Sequence, residues 1–288
     1  MKVYGKGLDP VTIAQEVDRD YLASVEGVVI PGAWVRSAID AHVKLGYDKP
    51  TGARGMSLDI ADEGLDKNAA CVSKGILIEW ADAWSGKGGD IFQTVERAFA
   101  LCDERGIWEF DYDADGLGAG VRGDARIINQ RRAHARQRPI SALGFRGSEA
   151  TLEPDKIVEG TLGGDGDKGR TNKDMFANRK AQGWWALRRR FQLTHRWIAE
   201  GIACRPDDIV SISSKFPACM ALVAELSQAT YETNGVGKIV INKTPDGMKS
   251  PNLADAVMMR FAPKGPRPIQ HSWELVRQIQ RAGRRPMG

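Results

Sequence analysis

Paired cysteines, long apolar runs and a phosphate-binding glycine loop are all missing from this 288-residue chain, and each absence removes a class of protein. The four cysteines (Cys71, Cys102, Cys204, Cys219) stand far apart, with no CxxC pair and no His/Cys spacing. Free thiols are therefore expected, and neither a disulfide scaffold nor a zinc site is supported. No stretch reaches membrane-spanning length, and the opening MKVYGKGLDP lacks the apolar segment of a secretion signal. No GxxxxGK[ST] occurs; Ser85-Gly-Lys-Gly-Gly has a GK pair without the spaced glycine or the Ser/Thr, so it reads as a loop.

Acids are scarce in three places. Lys264 to Gly288 carries six Lys/Arg against one acid, so most of the net charge of +4 sits in that tail. Arg122 to Arg146 holds seven arginines against Asp124 alone, and Arg179 to Arg196 holds six Lys/Arg and no acid. A single charge run is usually a solvated helix face. Three such clusters in one chain point to a polyanion, because arginine forks suit phosphate oxygens.

What is present is an ordinary supply of core, 42% hydrophobic and 27% charged, enough for one large domain or two small ones. Residues 1–53 read as an arm and linker, with a short helix from Asp9 to Glu16 and a second after Ile30 bearing Trp34, Val35 and Ile39. Met56, Leu58 and Ile60 alternate at strand period, and the Asp62-Glu63-Gly64 turn leads to returning strands over 69–73 and 76–80. A helix over 88–102, a strand over 108–113, a glycine turn, a helix over 121–132 and a strand over 140–145 follow. The expected fold is α/β: a mixed central sheet, an antiparallel meander followed by parallel strands, flanked by helices.

Further on, the glycine-rich stretch from Glu149 to Lys173 reads as a mobile loop, and Asp174 to Gly201 as the longest helix. That helix carries Phe176, Trp184, Trp185, Leu187, Phe191 and Trp197, best read as core packing, with base stacking as the sharper alternative. A short strand over 209–212, a helix over 216–229 and a hairpin turning at Asn234-Gly235 come next. Ser250 to Arg260 reads as a helix, with Ser250 as its cap and Pro251 in its first position.

Three acids share a setting. Asp59 lies inside an apolar strand, where a lone charge is costly and a buried hydrogen-bonded aspartate is as good an explanation as a metal ligand. Asp113 ends a later strand ahead of a glycine turn, and Asp255 lies beside the apolar stripe of the last helix, on the same side as Asn252. Carboxylates converging from two strands and a helix would form a hard-oxygen cage for Mg²⁺ or Mn²⁺. Two such ions about 4 Å apart suit phosphodiester hydrolysis.

Three motifs carry a resemblance. Ser57-Leu-Asp-Ile-Ala-Asp-Glu-Gly-Leu-Asp-Lys67, Asp113-Ala-Asp-Gly-Leu-Gly-Ala-Gly-Val121 and Ser250-Pro-Asn-Leu-Ala-Asp-Ala-Val257, in that order, resemble the nuclease motifs of phage terminase large subunits. Phe176 to Trp185 is similar to a helix start of that family, and the likeness runs from about Arg54 to Phe261. It implies an RNase H-like fold over 54–262, followed by a basic tail over 263–288. It also implies an endonuclease that uses two divalent ions, Mg²⁺ or Mn²⁺, to cut concatemeric viral DNA during packaging in the host cytoplasm.

Asp59, Asp113 and Asp255 match the family's metal-binding acids. Asn252 stands where the family often has an acid or histidine, so a fourth ligand there is weaker, and Asp62 and Asp66 are further candidates. Asp62, Asp66, Asp111 and Asp115 read by default as loop solvation or caps. Arg122, Arg126, Arg131, Arg132, Arg188, Arg189 and Arg190 are the candidate DNA contacts.

The family's partners are double-stranded DNA, a small subunit, an ATPase motor domain and a portal, with no membrane. The chain reads as the nuclease portion without the motor. Another RNase H-like nuclease, such as a resolvase or transposase-like enzyme, and a non-catalytic DNA-binding packaging module remain alternatives.

Overall fold

A computed structural model describes residues 27–47, 49–61, 67–86, 90–158, 169–244 and 249–265. The helix expected over 9–16, the acids Asp62 and Asp66, and the tail beyond Gly265 lie outside them.

Two short helices, α1 (Gly32–Ala38) and α2 (Ala41–Lys44), precede the sheet. Strand β1 (Arg54–Asp59) is paired antiparallel with β2 (Lys67–Lys74), and β2 with β3 (Leu77–Ser85), which is the expected meander. Helix α3 (Ile91–Arg105) starts under an Asp90 carboxylate that accepts the Gln93 N–H at 2.8 Å, and it ends at left-handed Gly106. The chain then lays β4 (Glu109–Asp113) parallel to β1, crosses over α4 (Val121–His134), and lays β5 (Ser141–Phe145) parallel to β4. A two-residue strand, β6 (Ser211–Ile212), closes the far edge parallel to β3. The six strands run in the order β5-β4-β1-β2-β3-β6.

The sheet is buried on both faces, and the two-residue period of β1 decides what meets what. Met56 and Leu58 join Ala70, Val72, Phe110 and Tyr112 in a core under α3 and α4. Ala69, Cys71, Ile78 and Ala81 open the other face to α6 (Arg179–Glu200), α7 (Cys219–Leu226) and α8 (Asn252–Phe261). Ser57 points the same way and donates its hydroxyl to Ala256 O of α8 at 2.5 Å. Helix α8 therefore lies directly on the strand that ends in Asp59.

Several expectations shift. The described part of the arm is core, since Val29, Ile30, Trp34 and Val35 pack with α6 and α7. The long helix begins at Arg179 instead of 174, because Ala177 N bonds Ile239 O and forces an extended step between a single turn, α5 (Asn172–Met175), and α6. Asn178 then caps α6 by accepting the Ala181 N–H at 2.9 Å. The ends of the stretch expected as a mobile loop are tied together: Val158 N meets Arg170 O, and Asn172 N meets Lys156 O, each at 2.9 Å. Ser250 does not cap α8; Pro251 is the flanking residue, and the Glu225 carboxylate from α7 accepts the Leu253 and Ala254 N–H groups at 2.7 and 3.2 Å. The hairpin β7 (Thr230–Thr233) and β8 (Ile239–Asn242) forms a separate two-stranded sheet. Among the described residues no helix is long and apolar enough to cross a membrane.

Candidate active site

Parallel strands β1 and β4 pair Leu58 with Tyr112, so Asp59 and Asp113 close their strands at one level and on one side of the sheet. Asp255 reaches that side from α8, one residue before the Ala256 carbonyl that Ser57 holds. Asp59 is 8% exposed and Asp255 2%. The three acids picked from the sequence are brought together.

Their electrostatics are those of crowded carboxylates. Burial first, and then the charge of Asp255, push the Asp59 carboxyl well above its ordinary value; Asp113 adds to this, while Lys243 and Lys180 pull it down. Asp113 is also raised, chiefly by burial, against the opposing hydrogen bond from Asp115 N–H at 2.9 Å and the charge of Lys180. Asp255 is held at both oxygens: Trp184 Nε1 donates to Oδ1 at 3.3 Å, and the Lys243 ammonium bonds Oδ2. Burial would pull Lys243 down, but Asp255 and Asp59 outweigh it and keep its proton affinity above normal.

Three of these neighbours were not found from sequence. Lys243 lies just past β8, Lys180 in the first turn of α6, and Trp184 on the apolar stripe of the same helix, where it read as core. Only the tertiary fold aligns them with Asp255. Asn252 is buried one turn before Asp255. Asp115 acts as expected of a loop cap, accepting Ser148 N–H at 3.0 Å and its hydroxyl at 2.8 Å. Asp111 does not: it is a buried strand residue paired with Lys264 at 2.6 Å.

The arginines divide. Arg122, Arg126 and Arg131 are exposed along α4, with Arg131 also 3.3 Å from Glu96. Arg132 is turned inward, forked onto Asp103 at 2.6 and 2.8 Å. Arg188 is buried against the Val28 and Val29 carbonyls and lies over the Trp34 and Trp185 rings. Arg190 donates to Asp207 O and Ile209 O at 2.7 and 3.0 Å, and Arg189 to Gln192 at 2.7 Å. Arg132, Arg188 and Arg190 are thus structural and not open to DNA. Their charge runs looked like surface because sequence does not reveal which helix face turns inward.

Among the described residues no three acids, histidines or cysteines already form a closed metal cage. The donor set nevertheless fits a hard divalent cation: its side chains offer carboxylate oxygens, and the buried charge is offset by ammonium groups.

The sheet order and flanking helices define an RNase H-like nuclease fold. The chain belongs to the nuclease domains of phage large terminase subunits. It is similar, at 31% identity and a TM-score of 0.70, to the nuclease domain of the large terminase subunit gp2 of bacterial virus Sf6, covering 82% of this chain and 99% of that one. The same values relate it to a lysine-to-alanine variant of that domain with manganese and β-thujaplicinol. A variant of the same subunit with calcium matches at 31% identity and a TM-score of 0.69, with the same coverage. No protein-family model and no curated protein matches the chain.

Proposed function

We propose that this chain is a divalent-metal-dependent endonuclease that cuts double-stranded DNA, with Asp59, Asp113 and Asp255 holding the metal. The observation that carries this reading is the burial of Asp59 and Asp255 against one another with the Lys243 ammonium between them. Two facing carboxylates removed from water are costly. Such an arrangement makes sense where a cation of higher charge belongs. Manganese and calcium in the Sf6 relatives support the same reading.

Mg²⁺ or Mn²⁺, two ions in the full form of the proposal, would activate a water and neutralise charge on the leaving oxygen. The chain's own residues set the stage. Trp184 and Lys243 fix the two Asp255 oxygens, the Asp115 N–H orients Asp113, and Lys180 supplies positive charge beside both strand acids. Glu225 anchors the start of α8 and so the depth of Asp255. Exposed Arg122, Arg126 and Arg131 are suited to the phosphate backbone and carry no base-reading motif, so cutting has little sequence preference. The substrate is concatemeric viral DNA, processed in the host cytoplasm with a small subunit, motor domain and portal.

The test is nicking and linearisation of supercoiled plasmid with Mn²⁺ or Mg²⁺ against EDTA. Metal-dependent cutting that disappears in Asp59→Ala supports the reading; no cutting at any protein concentration removes it.

A further inference from the structure

Beside the acidic centre, at the β4–β5 edge, lies a cleft of about 450 Å³. We propose that it is a phosphate subsite, filled by a backbone phosphate next to the one being cut. This inference rests on the nuclease reading for its choice of ligand.

Four cations from four separate segments line it: Arg122 from the first turn of α4, Arg146 just after β5, Arg179 opening α6, and Lys264 after α8. The only acid in the lining is Asp111, and Lys264 already neutralises it at 2.6 Å. Arg122 and Arg146 are exposed, and Arg146 meets Glu149 only at 3.7 Å. Arg179 rests 5.0 Å over the Phe145 ring, and its buried Nε has no hydrogen-bond partner. A buried guanidinium N–H left without an acceptor is uncommon and marks a place for one. Three arginine forks around one hollow match the oxygens of a phosphate better than a single carboxylate.

The floor is kept open by Gly144: a Cβ there would stand 2.9 Å from the Ala114 Cβ and 3.4 Å from the Tyr112 hydroxyl. Both of those residues line the cleft. Ala114 directly follows Asp113, so the hollow begins one residue from the acidic centre. A DNA strand with one phosphate at Asp113 has the next within reach of the cleft.

The measurement is anisotropy of a labelled duplex in EDTA, where no cutting occurs, over a range of salt. We compare the wild type with Arg122→Gln/Arg146→Gln, two exposed positions, and with the distant control Arg97→Gln/Arg138→Gln. The account expects the slope of log K against log salt to flatten by about 2 in the cleft variant. Affinity at moderate salt falls at least ~10-fold, and the control is unchanged. An unchanged slope overturns the proposal. So does a cleft variant that binds duplex normally while losing only the thermal stabilisation that millimolar inorganic phosphate gives the wild type, since the subsite then serves free phosphate. A flattened slope in a protein that cuts no plasmid with Mn²⁺ keeps the subsite and removes the nuclease reading. Normal cutting with an unchanged slope does the reverse.

Discussion

Lys243 bonds directly to Asp255, and the same ammonium offsets the charge of Asp59, so one lysine balances two buried carboxylates. Removing one partner of a buried pair leaves an uncompensated charge. Lys243→Ala is expected to destabilise the metal-free protein by about 3 kcal/mol. Saturating Mn²⁺ should raise its melting temperature more than it raises that of the wild type, because the ion replaces the missing charge. A thermal melt with and without metal checks this; equal metal shifts in both proteins contradict it.

Asp59 makes the opposite prediction. Its folded carboxyl is raised above the ordinary value of 3.8, so the stability it contributes is full below that value. That stability is lost as pH rises through the folded value. Asp59→Asn removes the repulsion with Asp255 and is expected to stabilise the metal-free protein at pH 8 by about 1–2 kcal/mol. The variant also flattens the gain in stability between pH 8 and pH 5, while abolishing the Mn²⁺-induced rise and all cutting. Denaturant melts at the two pH values decide it.

Glu225 stands in for the missing cap of α8, accepting the Leu253 and Ala254 N–H groups. Glu225→Ala should cost about 1 kcal/mol and slow cutting, because the helix that carries Asp255 loses its anchor. Glu225→Gln keeps an acceptor oxygen and should retain most of both properties. Cleavage rates of the two variants, measured beside their melts, separate the anchoring role from simple loss of charge.

Gly118 sits in the turn that follows Asp113. A Cβ there would fall 1.6 Å from the Asp113 carbonyl oxygen, so the turn cannot accept a side chain without moving Asp113. Gly118→Ala is expected to lose roughly 10²-fold in cutting rate, since catalytic groups tolerate little displacement. Near-wild-type cutting would show that Asp113 need not stay where it is.

The sheet and the three acids were legible in sequence for a physical reason. Period-two alternation at Met56, Leu58 and Ile60 and the strand-ending Asp113 are local signals. The antiparallel meander followed from short connections between apolar runs. What sequence did not reveal was long-range: Lys243 and Trp184 lie 12 and 71 positions from Asp255, and no periodicity links them. The same limit misassigned arginines. Arg132, Arg188 and Arg190 belong to basic runs, yet each is drawn inward by carbonyls or an acid from another segment. Asp111 read as a loop residue because its partner, Lys264, comes 153 positions later.

The central claim is that Asp59, Asp113 and Asp255 hold a divalent ion. Crystals soaked in Mn²⁺ and measured at the manganese absorption edge test it most directly. The account predicts anomalous density bounded by those three carboxylates, lost in Asp59→Asn. Ordered crystals at saturating Mn²⁺ with no such density there, or with the density elsewhere, would contradict it.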